Sequence, residues 1–329
     1  MRQKQVSGDA RSFSAMVKDE LAHVVCTKRC CRLAELAGLV HACGGVGLSG
    51  SGLSLRLHTE RAAVARRAYL ILKELYGVKA EVMVSQGSKL AQRNRYALAA
   101  PPGEATDRML QDTGAFTRQE GRIALHQVAP ARVISKECCQ RAYLRGVFLG
   151  AGSLADPAKA YHLEFVAGDD QLAFQIQKSF AKIGIKAKTI QRKGHDVVYL
   201  KEAENIAMFL SLAGANNARL DFENIRVVKD VRNQVNRTVN CENANLNKTV
   251  DAAGRQLASI RYLQEKVGLD HLPEALEEIA RARLENPEVS LTELGGLLSP
   301  PVGKSGVNHR MRKLEKMAQQ LREAKEEQP

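Results

Sequence analysis

No apolar run in the 329-residue sequence approaches the length that a membrane-spanning helix needs. Met1 to Ser14 is polar and basic, without the hydrophobic centre of a secretion signal. The seven cysteines are an odd number in a long chain, so no disulfide framework is expected. They read as reduced thiols of a cytoplasmic protein, and the sequons at Asn236 and Asn247 then carry no meaning. Acidic residues are the minority: 36 Asp and Glu stand against 49 Lys and Arg, a formal charge of +13. That excess calls for a polyanionic partner. Nucleic acid is the default, with ribosomal or membrane-surface binding as competitors. What is present suffices for packed domains: 44% of residues are hydrophobic and 26% charged. The length suits two or three domains.

The sequence repeats itself. Lys28-Arg29-Cys30-Cys31-Arg32-Leu33-Ala34-Glu35-Leu36-Ala37-Gly38 aligns with Lys136-Glu137-Cys138-Cys139-Gln140-Arg141-Ala142-Tyr143-Leu144-Arg145-Gly146, an offset of 108 residues from Lys28 to Lys136. The lysine, both cysteines, Ala34/Ala142, Leu36/Leu144, Gly38/Gly146 and Gly44/Gly152 are identical across it. Leu53 to His58 then alternates as a strand does, Ala62 to Leu75 has helical spacing, and Gly77 opens a further strand. In the second copy Tyr161 to Val166, Asp170 to Ile183 and Gly184 onward take the same parts. Each copy closes with a strand and a helix: Arg95 to Ala99 then Thr106 to Leu110, and Val197 to Leu200 then Glu202 to Ala213. Each unit is therefore predicted as helix–strands–helix–strands–helix, with the link between units inside Pro101 to Pro130.

Leu36-Ala37-Gly38-Leu39-Val40-His41-Ala42-Cys43-Gly44 resembles the LAGLIDADG motif of homing endonucleases. Leu144-Arg145-Gly146-Val147-Phe148-Leu149-Gly150-Ala151-Gly152 resembles a more degenerate form of it. The resemblance implies an α+β fold: two αββαββα halves whose sheets form a saddle over DNA. Gly38 and Gly146 would let the two motif helices approach closely at a pseudo-twofold. In active family members the eighth motif position is a metal-binding acid. Here those positions are Cys43 and Ala151, and the sixth positions are His41 and Leu149. Alanine offers no ligand atom, and thiolate is a soft ligand unlike the oxygens Mg²⁺ takes. The implied site therefore loses its electrostatic centre, and a scaffold without nuclease activity or metal cofactor is expected.

Two other patterns carry less. His23, Cys26, Cys30 and Cys31, taken within one copy, lack the second matching pair of a zinc site and are assigned to core packing. Gly45-Val46-Gly47-Leu48-Ser49-Gly50 matches G-x-G-x-x-G without the strand before and helix after that a dinucleotide site needs. It is expected to be a flexible connection.

Phe222 to about Leu263 is rich in Asn and Arg. Val228, Val231, Val235 and Val239 recur at helical spacing and predict a helix with one narrow apolar stripe. Its polar face suits phosphate contact or plain solvation equally. Beyond Gly268, Pro273 to Leu284 is an amphipathic helix with Leu276, Ile279, Ala280 and Leu284 inward. Ser290-Leu291-Thr292-Glu293 is a capping box opening a short helix with Leu291, Leu294 and Leu297 as its apolar face. A third helix begins near Ser305 with Val307, Met311 and Leu314 inward. Lys304, Ser305, Asn308, His309, Arg310, Arg312 and Lys313 are then its candidate DNA contacts, and Ser290 and Thr292 candidate phosphate contacts. The helix-turn-helix does not hold the basic excess. Asp270 to Pro329 has nine Lys and Arg against eleven Asp and Glu, which leaves +15 on residues 1–269. Arg56, His58, Arg93, Arg95, Lys186, Lys188, Arg192 and Lys193 are candidate contacts of a basic saddle.

The order of parts, with Ser12-Phe13-Ser14, Val17-Lys18-Asp19-Glu20-Leu21, Val239-Asn240-Cys241-Glu242 and Lys248-Thr249-Val250, resembles the WhiA family across nearly all of the chain. That resemblance implies a regulator in sporulation, cell division and chromosome segregation, bound to double-stranded DNA and associated with the nucleoid. It also admits other regulatory or division proteins as partners. The expected division is an N-terminal helical segment 1–27, a duplicated LAGLIDADG-like domain 28–221 (halves 28–112 and 136–215), a helical linker 222–268 and an all-α helix-turn-helix domain 269–329. A monomer with internal pseudo-twofold is expected. The alternatives are an interaction scaffold and a surviving metal-dependent endonuclease.

Overall fold

The computed structural model describes residues 12–86, 94–119 and 122–326. The chain forms two compact units, Met1–Lys229 and Asp230–Pro329. The first opens with helix α1 (Phe13–Ala22), whose N-cap Ser12 accepts from the Ala15 amide. The first copy follows as α2 (Arg29–Cys43), β1 (Gly44–Ser49), β2 (Gly52–Thr59), α3 (Ala62–Tyr76), β3 (Glu81–Ser85), β4 (Arg95–Ala100) and α4 (Glu104–Thr113). A hairpin of β5 (Phe116–Gln119) and β6 (Arg122–Leu125) lies between the copies. The second copy is α5 (Glu137–Ala151), β7 (Gly152–Leu154), β8 (Leu163–Ala167), α6 (Asp170–Lys182), β9 (Lys188–Arg192), β10 (His195–Leu200) and α7 (Ala203–Ala213).

The two sheets share one topology, β1-β2-β4-β3 and β7-β8-β10-β9, with every neighbouring pair antiparallel. Alternation decides which face is covered. Leu53, Leu55 and Leu57 of β2 are buried, while Arg56 and His58 between and beyond them are exposed. Leu163, Phe165 and Ala167 of β8 are buried in the same way. One core unites the helices and the inner sheet faces, and α5 is buried almost throughout its middle.

The Gly45 to Gly50 stretch is not a flexible connection. Gly44–Ser49 is an edge strand, paired with β2 from Gly44 opposite Leu57 to Ser49 opposite Gly52. Glycines supply no side-chain alternation, so the strand period was invisible there, whereas the backbone pairs regardless.

Helix α8 (Asn216–Lys266) runs for 51 residues across the boundary between the units. The valine stripe is real, and Val228, Val231, Val235 and Val239 are all about half exposed. In the second unit Ile260 and Leu263 of α8 join α9 (Glu274–Glu285), α10 (Leu291–Gly296) and α11 (Lys304–Glu326) around a core of Leu276, Ile279, Leu294, Val307, Met311 and Leu314. The predicted capping box is present, with Ser290 accepting from the Glu293 amide and Glu293 accepting from the Ser290 amide. One apolar position differs: Leu297 is exposed and Leu298 is buried in its place. α10 ends at Gly296, so the helical period stops one residue before Leu297. No described helix is long and apolar enough to cross a membrane.

Candidate functional site

Helices α2 and α5 meet along a line where side chains are absent. A Cβ on Gly38 would stand 2.3 Å from the Tyr143 carbonyl oxygen, and one on Gly146 would stand 2.1 Å from the Glu35 carbonyl oxygen. Tyr143 and Gly146 each follow Glu35 and Gly38 by 108 residues, so the two contacts are copies of one another. That exchange of equivalent contacts is a local twofold. Glycine is needed at both positions because backbone touches backbone.

Beside that seam lies an ion cluster that no motif announced. Glu35 is fully buried, and Arg67 donates to it through Nε at 2.8 Å and Nη2 at 3.0 Å. Arg145 donates from the opposite helix, Nη2 at 2.7 Å and Nε at 3.1 Å, and its Nη1 reaches the Ala213 carbonyl at 3.0 Å. A buried carboxylate is tolerated here because both of its oxygens are hydrogen-bonded to cations.

At their C-terminal ends both motif helices pass straight into strands, at Gly44 and Gly152. Side chains there would strike the Val40 carbonyl oxygen at 2.3 Å and the Phe148 ring at 2.2 Å. The would-be acid positions lie in this last turn. His41 is buried, and its Nε2 donates to the Thr113 carbonyl at 3.0 Å, with burial lowering its pKa. The Cys43 thiol donates to the Leu39 carbonyl at 3.3 Å, and burial pushes its pKa up to about 11. Leu149 is buried, and Ala151 has no ligand atom. A Cβ on Gly150 would lie 3.1 Å from Cys43 Sγ, so the two helix ends touch. Among the described residues, no group of three or more His, Cys, Asp or Glu gathers at this end. Lys18 of α1 stands here, near Cys43 and with Nζ 5.7 Å from the centre of the Phe148 ring. Burial lowers its pKa to about 8, opposed by Cys43 and Glu60. Nothing in the spacing of α1 pointed to it.

The N-terminal ends hold the opposite arrangement. Cys30, Cys31, Cys138 and Cys139 bring four sulfurs within 4.8 Å of one another. Burial pushes the Cys139 thiol up to about 12, and a hydrogen bond from Cys31 lowers that of Cys138.

The candidate saddle contacts divide between the open faces of the two sheets. Arg56 and His58 pair in register with Ala99 and Ala97 of β4, on the face that Arg95 shares. All three are exposed. Lys188 and Arg192 lie on β9, Lys193 sits at φ 52° in the β9–β10 turn, and Lys186 precedes them, all exposed. Arg192 faces Glu164 at 3.9 Å, and that carboxylate also accepts from Ser153 and pairs with His162. Arg93 lies outside the described residues.

In the second unit Lys304, Ser305, His309, Arg312 and Lys313 are exposed and Asn308 is half-buried. Ser305, Asn308, His309, Arg312 and Lys316 share one face of α11, opposite Val307, Met311, Leu314 and Ala318. Arg310 is not outward. It lies about 100° round the helix from His309, toward the core side, pairs with Glu278 of α9 at 3.5 Å and donates to the Ala275 carbonyl at 3.4 Å. Thr292 is exposed at the start of α10, while the Ser290 hydroxyl caps that helix. Two features hold the unit together that spacing had not marked. A Cβ on Gly295 would stand 2.0 Å from the Val302 carbonyl oxygen. Arg283 is buried and donates to the Val289 carbonyl and, at 3.0 Å, to Gln256 of α8.

Three family models match in succession: the WhiA N-terminal LAGLIDADG-like domain over residues 29–115, the WhiA LAGLIDADG-like domain over 140–232, and the WhiA C-terminal HTH domain over 235–318. A protein of Heliobacterium modesticaldum named "Probable cell division protein WhiA" is 46% identical over 309 residues, 94% of this chain and 96% of that one. One of the same name from Alkaliphilus oremlandii is 44% identical over 316 residues, 95% of this chain and 99% of that one. The crystal structure of full-length WhiA from Thermatoga maritima superposes with a TM-score of 0.57 at 25% identity, covering 94% of this chain and 98% of that one. Duplicated motif helices, degenerate acid positions, a C-terminal helix-turn-helix and relatives aligned end to end agree: the chain belongs to the WhiA family.

Proposed function

We propose that the chain is a DNA-binding transcriptional regulator acting in bacterial cell division, sporulation and chromosome segregation, from a cytoplasmic, nucleoid-associated position. The observation that carries this reading is the row Ser305, Asn308, His309, Arg312 and Lys316, presented opposite a closed apolar seam on α11. Asn and Arg suit base edges in the major groove, and Lys304 and Lys313 suit flanking phosphates. Thr292 is a further phosphate contact. Arg310 braces α11 against α9 instead. Affinity of the full chain for its own promoter DNA, measured across a salt series, tests the reading. Arg312→Ala should weaken specific binding by about 1–3 kcal/mol, while Lys313→Ala lowers the salt slope by about one. Unchanged specificity in Arg312→Ala would remove α11 from the recognition role.

The saddle is proposed as a second, sequence-tolerant contact through Arg56, His58, Arg95, Lys186, Lys188, Arg192 and Lys193. Joint replacement of Lys188 and Arg192 by alanine should then flatten the salt slope. A scaffold reading is favoured instead by the apolar row Val166–Val197–Ile190 across the open face of the second sheet, where Val166 and Ile190 are exposed. An unchanged slope in that double variant would support it. We take the protein to lack nuclease activity, since Cys43 and Ala151 supply no carboxylate. Mg²⁺-dependent cleavage that disappears in Cys43→Ala would refute this. The division into 28–221, 222–268 and 269–329 is kept as the working domain scheme, with α8 lending Ile260 and Leu263 to the last. A monomer suits a chain that carries its twofold internally.

A further inference from the structure

We propose that Cys30, Cys31, Cys138 and Cys139 form a closed tetrathiolate site for a zinc ion, placed on the twofold between the two halves of the LAGLIDADG-like unit. Four sulfurs already converge: Cys30 and Cys31 are 4.0 Å apart, and all four lie within 4.8 Å of one another. A tetrahedral site with Zn–S bonds of about 2.3 Å sets its sulfurs about 3.8 Å apart. Side-chain adjustments well short of an ångström, roughly, close the present cluster onto one ion. An iron–sulfur cluster spreads its thiolates over several metal atoms and needs a wider opening.

The surroundings offset part of the cost that burial puts on a charged thiolate at Cys139. Cys30 and Cys31 are the second and third residues of α2, and Cys138 and Cys139 those of α5. Both helices thus bring their positive N-terminal ends to the cluster. Lys28 adds a cation close to Cys138. Two of the four cysteines are buried, and the set leaves no open coordination position, as in a structural rather than catalytic site. Binding takes four protons from four thiols and moves no electrons. Zinc is the thiophilic divalent ion with no redox change of its own, and it fits a tetrahedral sulfur set. The one-copy spacing fails as a zinc pattern because each copy contributes half of the ligands. Such an ion would fasten residues 30–31 to residues 138–139, the two halves that the glycine seam packs together.

The test uses the reduced full chain. Elemental analysis should find one zinc per chain. Metal-free protein titrated with Co²⁺ should reach the same stoichiometry, with the thiolate charge-transfer and ligand-field absorption of tetrahedral sulfur coordination. Cys30→Ser and Cys138→Ser should each lose stoichiometric metal, whereas Cys241→Ser, at an exposed thiol of α8, should keep it. Three results would overturn the proposal: no stoichiometric Zn²⁺ or Co²⁺ binding by the reduced wild type, full binding in both ligand variants, or intramolecular disulfides linking these four cysteines in freshly isolated protein. The wild-type Co²⁺ spectrum decides the matter even if a serine variant fails to fold.

Discussion

The two ends of the α2–α5 pair are built from the same duplicated sequence and have opposite chemistry. At the C-terminal end, Cys43 and Ala151 occupy the eighth motif positions, and no cluster of ligand residues forms among the described residues. At the N-terminal end, two Cys-Cys pairs bring four sulfurs together. The difference follows from which residues each copy carries at its two ends, since the helices touch at both. A repeated residue near the axis meets its own copy, so two cysteines become four donors. A metal site at the acid end would need a carboxylate from each copy, and the copies present a packed thiol, Cys43, and a methyl group, Ala151. The symmetry is retained in the glycines that allow contact and absent from the groups that would bind Mg²⁺.

The seam itself offers the largest perturbation. Gly146→Val forces a branched side chain onto the Glu35 backbone and should cost about 4 kcal/mol or abolish folding, read by urea unfolding. Gly45→Ala, with nothing within 4 Å of its Cβ, should stay within about 0.5 kcal/mol and serves as the control. Equal losses would mean that close approach is not what the motif glycines provide. Glu35→Gln comes next. It leaves the buried Arg145 guanidinium without a counter-charge and should destabilise by roughly 3 kcal/mol. An effect near zero would show the ion cluster to be replaceable by hydrogen bonds alone.

Cys43→Asp sharpens the comparison at the acid end. It places a carboxylate where burial already raises the thiol, and should cost about 2 kcal/mol. The cost should be greater at pH 8 than at pH 5, because the charged form is the disfavoured one. Stability regained on adding Mg²⁺ would show instead that this end still accepts a metal. Lys18, at the same end, acts through pH. Its pKa falls from 10.5 to about 8 in the folded chain, so the unfolded chain binds more protons between those values. Its contribution therefore grows as pH rises from about 8 to 10.5 and is lost as pH falls through 8. Cys43 acts in the opposite sense: its raised pKa gives stability below 9.0 that is lost as pH rises through about 11. The difference between wild type and Lys18→Met isolates the lysine, and no difference across that range would return Lys18 to the solvent.

Local signals were legible wherever a residue's partners lie within a few positions. The Ser290–Glu293 capping box, the Val307–Met311–Leu314 spacing and the alternation of Leu53, Leu55 and Leu57 all concern neighbours in one element. The β1 edge strand escaped because glycine gives no alternation to read. Leu298 replaces Leu297 because the helix stops, and Arg310 turns inward because Glu278 waits on another helix.

By itself, the sequence determined the duplication, the motif glycines, the α+β character of the first unit, the helix-turn-helix and the family. Periodicity and repeats are properties of the chain alone. Only the tertiary structure decided which distant groups meet: Glu35 with Arg145, Lys18 with Cys43, Arg283 with Gln256, and the cysteines of one copy with those of the other. Each of these contacts joins separate elements, and most span many residues. Their existence depends on the packing of helices and sheets around a common axis, which no local pattern encodes.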